Sequence, residues 1–255
     1  MRKLLQSALV LPLSCVLAAV GSGTQQADAA VVKINAPTST AIGALESRDT
    51  IFAFQESTVD IGDPVLLDIT NVTPGNQIGP SPTPGEVVPL SPGLISGKFT
   101  SYMLHFDPVP RRDGSDVKRN ASGTIDFGAE FGLSDDQVIL GLIVGDDTLD
   151  LSDNPLGLPG TIYPAGPDSE GKERRGLGFG FVASGFQEFI KIVDSQTLEV
   201  SFNTKESVDQ IRVLIGDPDD APVARTPEPS SILSILALGM VAASSRFRSR
   251  KEQKL

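Results

Sequence analysis

The sequence predicts an all-β fold, a single jelly-roll-like β-sandwich, and three observations carry that prediction. Apolar or alternating runs of five to eight residues recur along the chain. Clusters of Gly, Pro, Asp and Asn separate them, as turns would. Between them no long stretch repeats with the period of an amphipathic helix. Short strands of even spacing joined by turns are the signature of two packed antiparallel sheets.

The first segment of the domain, Ala41–Glu46, reads as a helical turn or as irregular chain. Thr50–Phe54 and Val65–Ile69 then read as two strands, parted by Gly62-Asp63-Pro64. Thr73 to Pro92 holds six prolines (Pro74, Pro80, Pro82, Pro84, Pro89, Pro92) and predicts a long Pro-rich surface loop over 73–92. In Phe99–Phe106 the alternation sets Tyr102, Leu104 and Phe106 on one face and Met103 and His105 on the other. Gly123–Phe127 follows, and then Val138–Val144, which is apolar on both faces as a central strand would be. The run Asp146, Asp147, Asp150, Asp153, Asn154 reads as an acidic loop after that strand. Gly176, Gly178 and Gly180 alternate into the strand Gly178–Ala183, leaving one face bare for the close approach of another backbone. Phe189–Val193, Leu198–Phe202 and Gln210–Ile215 complete the strands. The sandwich thus spans 30–215, and a Pro- and Asp-rich linker follows over 216–229.

Charge narrows the function. Between Ala30 and Arg225 there are 14 Lys and Arg against 29 Asp and Glu, a net charge of −15. The whole-chain value of −11 hides this, because basic residues gather at the two ends. So acidic a domain repels phosphate backbones, which excludes nucleic acid as a partner. The only cysteine, Cys15, lies in the N-terminal segment, so no disulfide staples the domain. Roughly 195 residues suffice for a core without one.

The chemical inventory is thin. His105 is the only histidine, no G-x-S-x-G accompanies it, and it reads as a satisfied strand residue. Histidine-rich zinc sites and Cys-ligated clusters are excluded. Arg175-Gly-Leu-Gly-Phe-Gly-Phe lacks the spacing of a dinucleotide fingerprint. Without Trp, and with Tyr102 and Tyr163 alone, no sugar-stacking platform is expected. No cofactor is predicted beyond the one ion the carboxylates suit. Asp146, Asp147, Asp150 and Asp153 offer hard oxygens from one segment, the donor set of Ca²⁺, although the spacing is not that of an EF-hand. A hydrolytic carboxylate pair is set by space rather than by sequence, and nothing here selects one.

The two ends carry an address. Met1-Arg2-Lys3 followed by the apolar stretch Leu4 to Val20 and the Ala27-Asp28-Ala29 pattern predicts a signal peptide over 1–29, cleaved before Ala30. The alternative is an uncleaved anchor. At the other end stand Pro227, Glu228 and Pro229. An apolar run over 230–245 follows, and then Arg246, Arg248, Arg250 and Lys251 in a basic tail over 246–255. Pro229 suits a helix start, and Ser230 and Ser231 suit its cap. Sixteen residues of helix reach roughly 24 Å, a short transmembrane span for a hydrocarbon core of about 30 Å. Snorkelling arginines can make up the difference. Those arginines should stay cytoplasmic. The competing reading is a buried core helix with a charged end.

Triplet, apolar run and basic end, in that order from Thr226 to Arg250, resemble the PEP-CTERM sorting signal of Gram-negative and cyanobacterial surface proteins. The tail departs from that pattern in running on past the arginines through Lys251 to Leu255. The resemblance implies handling by the Sec machinery and signal peptidase, then recognition of Pro227, Glu228 and Pro229 by an exosortase. Ser101-Tyr-Met-Leu-His-Phe-Asp-Pro-Val, Ile139-Leu-Gly-Leu-Ile-Val, Pro159-Gly-Thr-Ile-Tyr-Pro and Val208-Asp-Gln-Ile-Arg-Val also resemble stretches of uncharacterised exported bacterial proteins with such tails. The expectation is a non-enzymatic surface or matrix protein, membrane-anchored as a precursor and associated with exopolysaccharide. The alternatives are a calcium-assisted carbohydrate-binding module and a glycan-active enzyme.

Overall fold

The computed structural model describes residues 30–79, 90–109, 119–164, 175–177, 188–204, 207–221 and 223–225. The expected signal segment 1–29, the strand Gly178–Ala183, the triplet Pro227–Pro229, the span 230–245 and the basic tail 246–255 lie outside the described residues. No helix among the described residues is long and apolar enough to cross a membrane.

The described residues are mostly strand. In chain order these are β1 (Val31–Lys33), β2 (Glu46–Ser47), β3 (Ile51–Leu67), β4 (Gln77–Ile78), β5 (Gly93–Pro108), β6 (Arg119–Asp126), α1 (Phe127–Phe131), β7 (Val138–Ile143), α2 (Asp146–Leu156), β8 (Phe189–Ile192), β9 (Thr197–Thr204), β10 (Asp209–Gly216) and β11 (Val223–Arg225). One sheet runs β1-β3-β5-β10-β7, with β2 and β11 also paired to β5. A second sheet runs β4-β8-β9-β6. The fold is all-β, as the sequence predicts.

A single core joins the two sheets. Tyr102, Leu104 and Phe106 from β5 and Ile211, Val213 and Ile215 from β10 meet Leu198, Val200 and Phe202 from β9. Phe106 and Phe202 stack at 6.3 Å between ring centres. Full burial of each such ring contributes about 2–3 kcal/mol. Met103, on the opposite face of β5, belongs to a second core with Phe54, Ile143, Leu149, Leu156 and Leu214. The period-2 alternation therefore separates two interiors rather than interior from solvent.

Several elements differ from the sequence reading. Thr50–Phe54 and Val65–Ile69 belong largely to one strand, β3, which pairs with β5 across register shifts after Gln55 and after Ile61. Gly62-Asp63-Pro64 reads as a turn but sits in the second shift, where proline costs no ladder bond. The Pro-rich stretch 73–92 is not loop throughout, because Gln77 and Ile78 pair with β8. The strand Gly123–Phe127 gives way at Phe127 to α1, whose N-cap Asp126 accepts from the Ala129 N–H at 3.0 Å. Strand β7 ends the sheet order rather than lying at its centre. Its faces are apolar because each packs on one of the cores. Its free side is met by Ile69, which bridges Leu142.

The segment read as a linker is partly folded. Val223, Ala224 and Arg225 pair with Ile95, Leu94 and Gly93. Ala221 is fully buried, and the Lys98 N–H donates to the Asp220 carbonyl at 3.2 Å. That approach needs a glycine. Gly97 has φ +92°, and a Cβ there would lie 2.1 Å from the Asp220 oxygen. Gly97→Ala is expected to cost about 1–3 kcal/mol, read as a lower urea midpoint at unchanged m-value.

Candidate functional site

Among the described residues, Glu56, Asp150, Asp153, Arg175 and Arg212 converge at α2. The stretch Asp146–Leu156 expected as an acidic loop is this helix. Asp, Ser, Asn and Pro favour turns in isolation. Here Leu149 and Leu156, one heptad apart, bury against the outer face of the first sheet. Asp68 braces the chain entering the helix: its carboxylate accepts from the N–H groups of Val144 and Gly145 and from the Thr148 hydroxyl. Asp146, Asp150 and Asp153 then fall on one stripe, at spacings of four and three.

Under that stripe lie two arginines with no solvent exposure, Arg175 and Arg212. Arg212 projects from β10, on the side opposite Ile211 and Val213. Its Nε and Nη2 donate to the two oxygens of Glu56 on β3, at 2.7 and 2.8 Å. Nη2 also donates to Asp153 at 2.9 Å, and Nη1 to the Leu149 carbonyl and the Ser152 hydroxyl. Glu56 accepts two further bonds, from Ser101 and from the Tyr163 hydroxyl, both at 2.6 Å. Burial works against the charge on Arg212, but Glu56 and Asp153 outweigh it, so its pKa lies above the ordinary arginine value. Burial, then Glu56, raises the Tyr163 phenol and keeps it a donor.

Arg175 enters from a separate segment. Its Nε donates to Gln210 at 2.8 Å, its Nη1 to Asp150 at 3.2 Å, and its Nη1 and Nη2 grip Asp153 as a fork. Asp146 accepts from the backbone N–H groups of Arg175 and Gly176. Another backbone does approach Gly176, where a Cβ would lie 2.5 Å from the Val144 carbonyl oxygen, but Gly176 lies in a bend rather than a strand. Gly178 and Gly180 lie outside the described residues. Both guanidinium carbons sit over the Tyr163 ring, 5.3 and 5.6 Å from its centre.

His105 closes the network. Its Nδ1 faces the Gln210 amide nitrogen at 2.9 Å. The amide donates, so the ring proton belongs on Nε2, which is buried with no partner among the described residues. Burial first, and then the nearby charge of Arg175, push its pKa down to about 3. The ring stays neutral at ordinary pH, and among the described residues no serine or cysteine is bonded to it.

The four expected calcium ligands are therefore divided. Asp146 holds backbone N–H groups, and Asp150 and Asp153 hold a guanidinium. Asp147 stands in the first turn of the helix. The cation in this cluster is arginine, and Ca²⁺ would have to displace it. Among the described residues no group of three His, Cys, Asp or Glu has a metal-holding arrangement. What the cluster does is clamp α2 to β3 and β10.

Sequence reasoning missed Glu56, Arg175, Arg212 and Tyr163. The available signal was the lone charge in Gln210-Ile-Arg-Val-Leu-Ile, a strand otherwise apolar on both faces. A second feature is open to solvent: a hollow of about 240 Å³ lined by Thr58, Lys98, Thr100, Asp136, Gln137 and Asp217, among others. Its polar walls suit water and hydroxyl groups, while Phe99 beside it is buried and offers no stacking face. Of the sorting residues, only Ala30 is described, just before β1. No family model, curated protein or solved structure matches the chain.

Proposed function

We propose that this chain is an exported, non-enzymatic surface or matrix protein, anchored by its C-terminal segment as a precursor and then processed by an exosortase. The observation that carries this reading is the order of parts in the tail: Pro227-Glu228-Pro229, an uncharged apolar run, and Arg246, Arg248, Arg250 and Lys251. The cleavable-signal pattern ending at Ala29 supports export. Among the described residues, the buried charges under α2 are engaged with one another, which supports a structural task for them. The core shared by the two sheets supports a β-sandwich. An acidic, disulfide-free domain of this kind suits a hydrated layer such as exopolysaccharide, where net charge keeps it dispersed.

Fusing residues 1–29 and 226–255 to a reporter tests the sorting. The fusion is expected to be exported, retained at the membrane, and shortened when an exosortase is co-expressed. Replacing Pro227, Glu228 and Pro229 with alanine is expected to stop the shortening. Equal shortening of both fusions, or none of either, sinks the reading.

A further inference from the structure

We propose that the end of the first sheet carrying Leu66 and Leu94 faces the bilayer in the anchored precursor, so that the domain stands end-on against the membrane. This inference rests on reading 230–245 as a membrane span. Three observations hold the chain to the sheet as far as Arg225. Strand β11 pairs with β5 in register as far as Arg225, opposite Gly93. Ala221 is buried in the second core, with Ile95 and Phe99. Gly97 leaves room for the Asp220 carbonyl, which a side chain would strike. The chain is therefore held to the sheet through Arg225, and only Thr226 to Pro229 separates it from Ser230. Four residues reach about 14 Å at full extension. A spacer over 216–229 would have reached about 50 Å and left the orientation free.

The register says which end is tied down. Leu67 pairs with Gly93, and Leu66 with Leu94, beside the exit at Arg225. Leu66 and Leu94 are large apolar side chains left 39% and 36% exposed. On a domain of strong negative charge, these are side chains that a lipid surface tolerates. The other end of β5, where Glu46 pairs with Asp107, lies about 45 Å away along the strand.

The test uses the signal-cleaved chain, residues 30–255, which has no cysteine of its own, reconstituted in phosphatidylcholine vesicles that carry an energy acceptor on the lipid headgroup. A donor dye is placed on Leu66→Cys or on Glu46→Cys. Transfer is expected to be several-fold stronger from position 66 than from position 46. A long Gly-Ser insert between Arg225 and Thr226 leaves β11 in place and is expected to bring the two values together. Equal transfer without the insert, or a difference that survives it, overturns the inference while leaving the anchor intact. Failure of the chain to float with the vesicles overturns the membrane span and this inference together.

Discussion

A Glu56→Ala variant is expected to lose about 3–5 kcal/mol of stability, because it leaves Arg212 charged and buried without its bidentate partner. Both side chains are fully excluded from solvent, so water cannot replace the lost carboxylate. The variant also strands two donors, the Ser101 and Tyr163 hydroxyls. Glu56→Gln tests the charge separately, since it keeps the shape and one acceptor oxygen, and its loss should be nearly as large. Replacing Glu56 and Arg212 together with methionine should cost less than either single alanine change, because an apolar pair leaves no buried charge. Urea unfolding of the native chain, Glu56→Ala, Glu56→Gln, Arg212→Ala and the double methionine variant measures this. A loss below about 1 kcal/mol in Glu56→Ala would show that water reaches Arg212 and that the cluster is not closed.

Mild acid is expected to weaken the domain through His105. Unfolded, the imidazole takes a proton near pH 6.5, whereas folded it resists until about 3. Between those values the unfolded state binds more protons, so stability falls as pH falls, by up to about 1.4 kcal/mol per pH unit. The contribution is complete above pH 6.5 and is lost progressively toward pH 3. Asp107 and Asp150 act with the opposite sign. Burial raises both carboxyls, so the folded state takes those protons first and gains stability as pH falls through that range. His105 therefore dominates the part of the window above the carboxylates. Comparing stability against pH for the native chain and His105→Gln isolates it, and the difference should grow steadily below pH 6.5. Parallel curves would mean that the ring charges freely and is not packed against Gln210 and Arg175.

The strands were legible because each is a local pattern. Leu198–Phe202 and Gln210–Ile215 alternate or run apolar for their whole length, and the structure extends each by only a few residues. The short pieces β1, β2, β4 and β11 were not legible. Each owes its conformation to a neighbouring strand far away in sequence, as Val223 does to Ile95. Helix α2 was hidden for a related reason. Its residues favour turns, and only the surface it covers, with Arg175 and Arg212 beneath it, makes the helix the better arrangement. The carboxylates were found, but their partners were not. Hard oxygens suit a calcium ion and a guanidinium alike, and sequence spacing does not show which cation arrives.

The sequence by itself determined the all-β class, the opposed faces of Phe99–Phe106, the acidic charge of the domain and the layout of its ends. These are properties of composition and of period, which neighbouring residues carry. Tertiary structure alone decided that Glu56, Arg212, Arg175 and Asp153 form one buried cluster, that β7 closes a sheet, and that the chain stays bound to β5 as far as Arg225. Those outcomes depend on which distant segments share a surface, where the cost of burying a charge is met only by a partner that folding brings within reach.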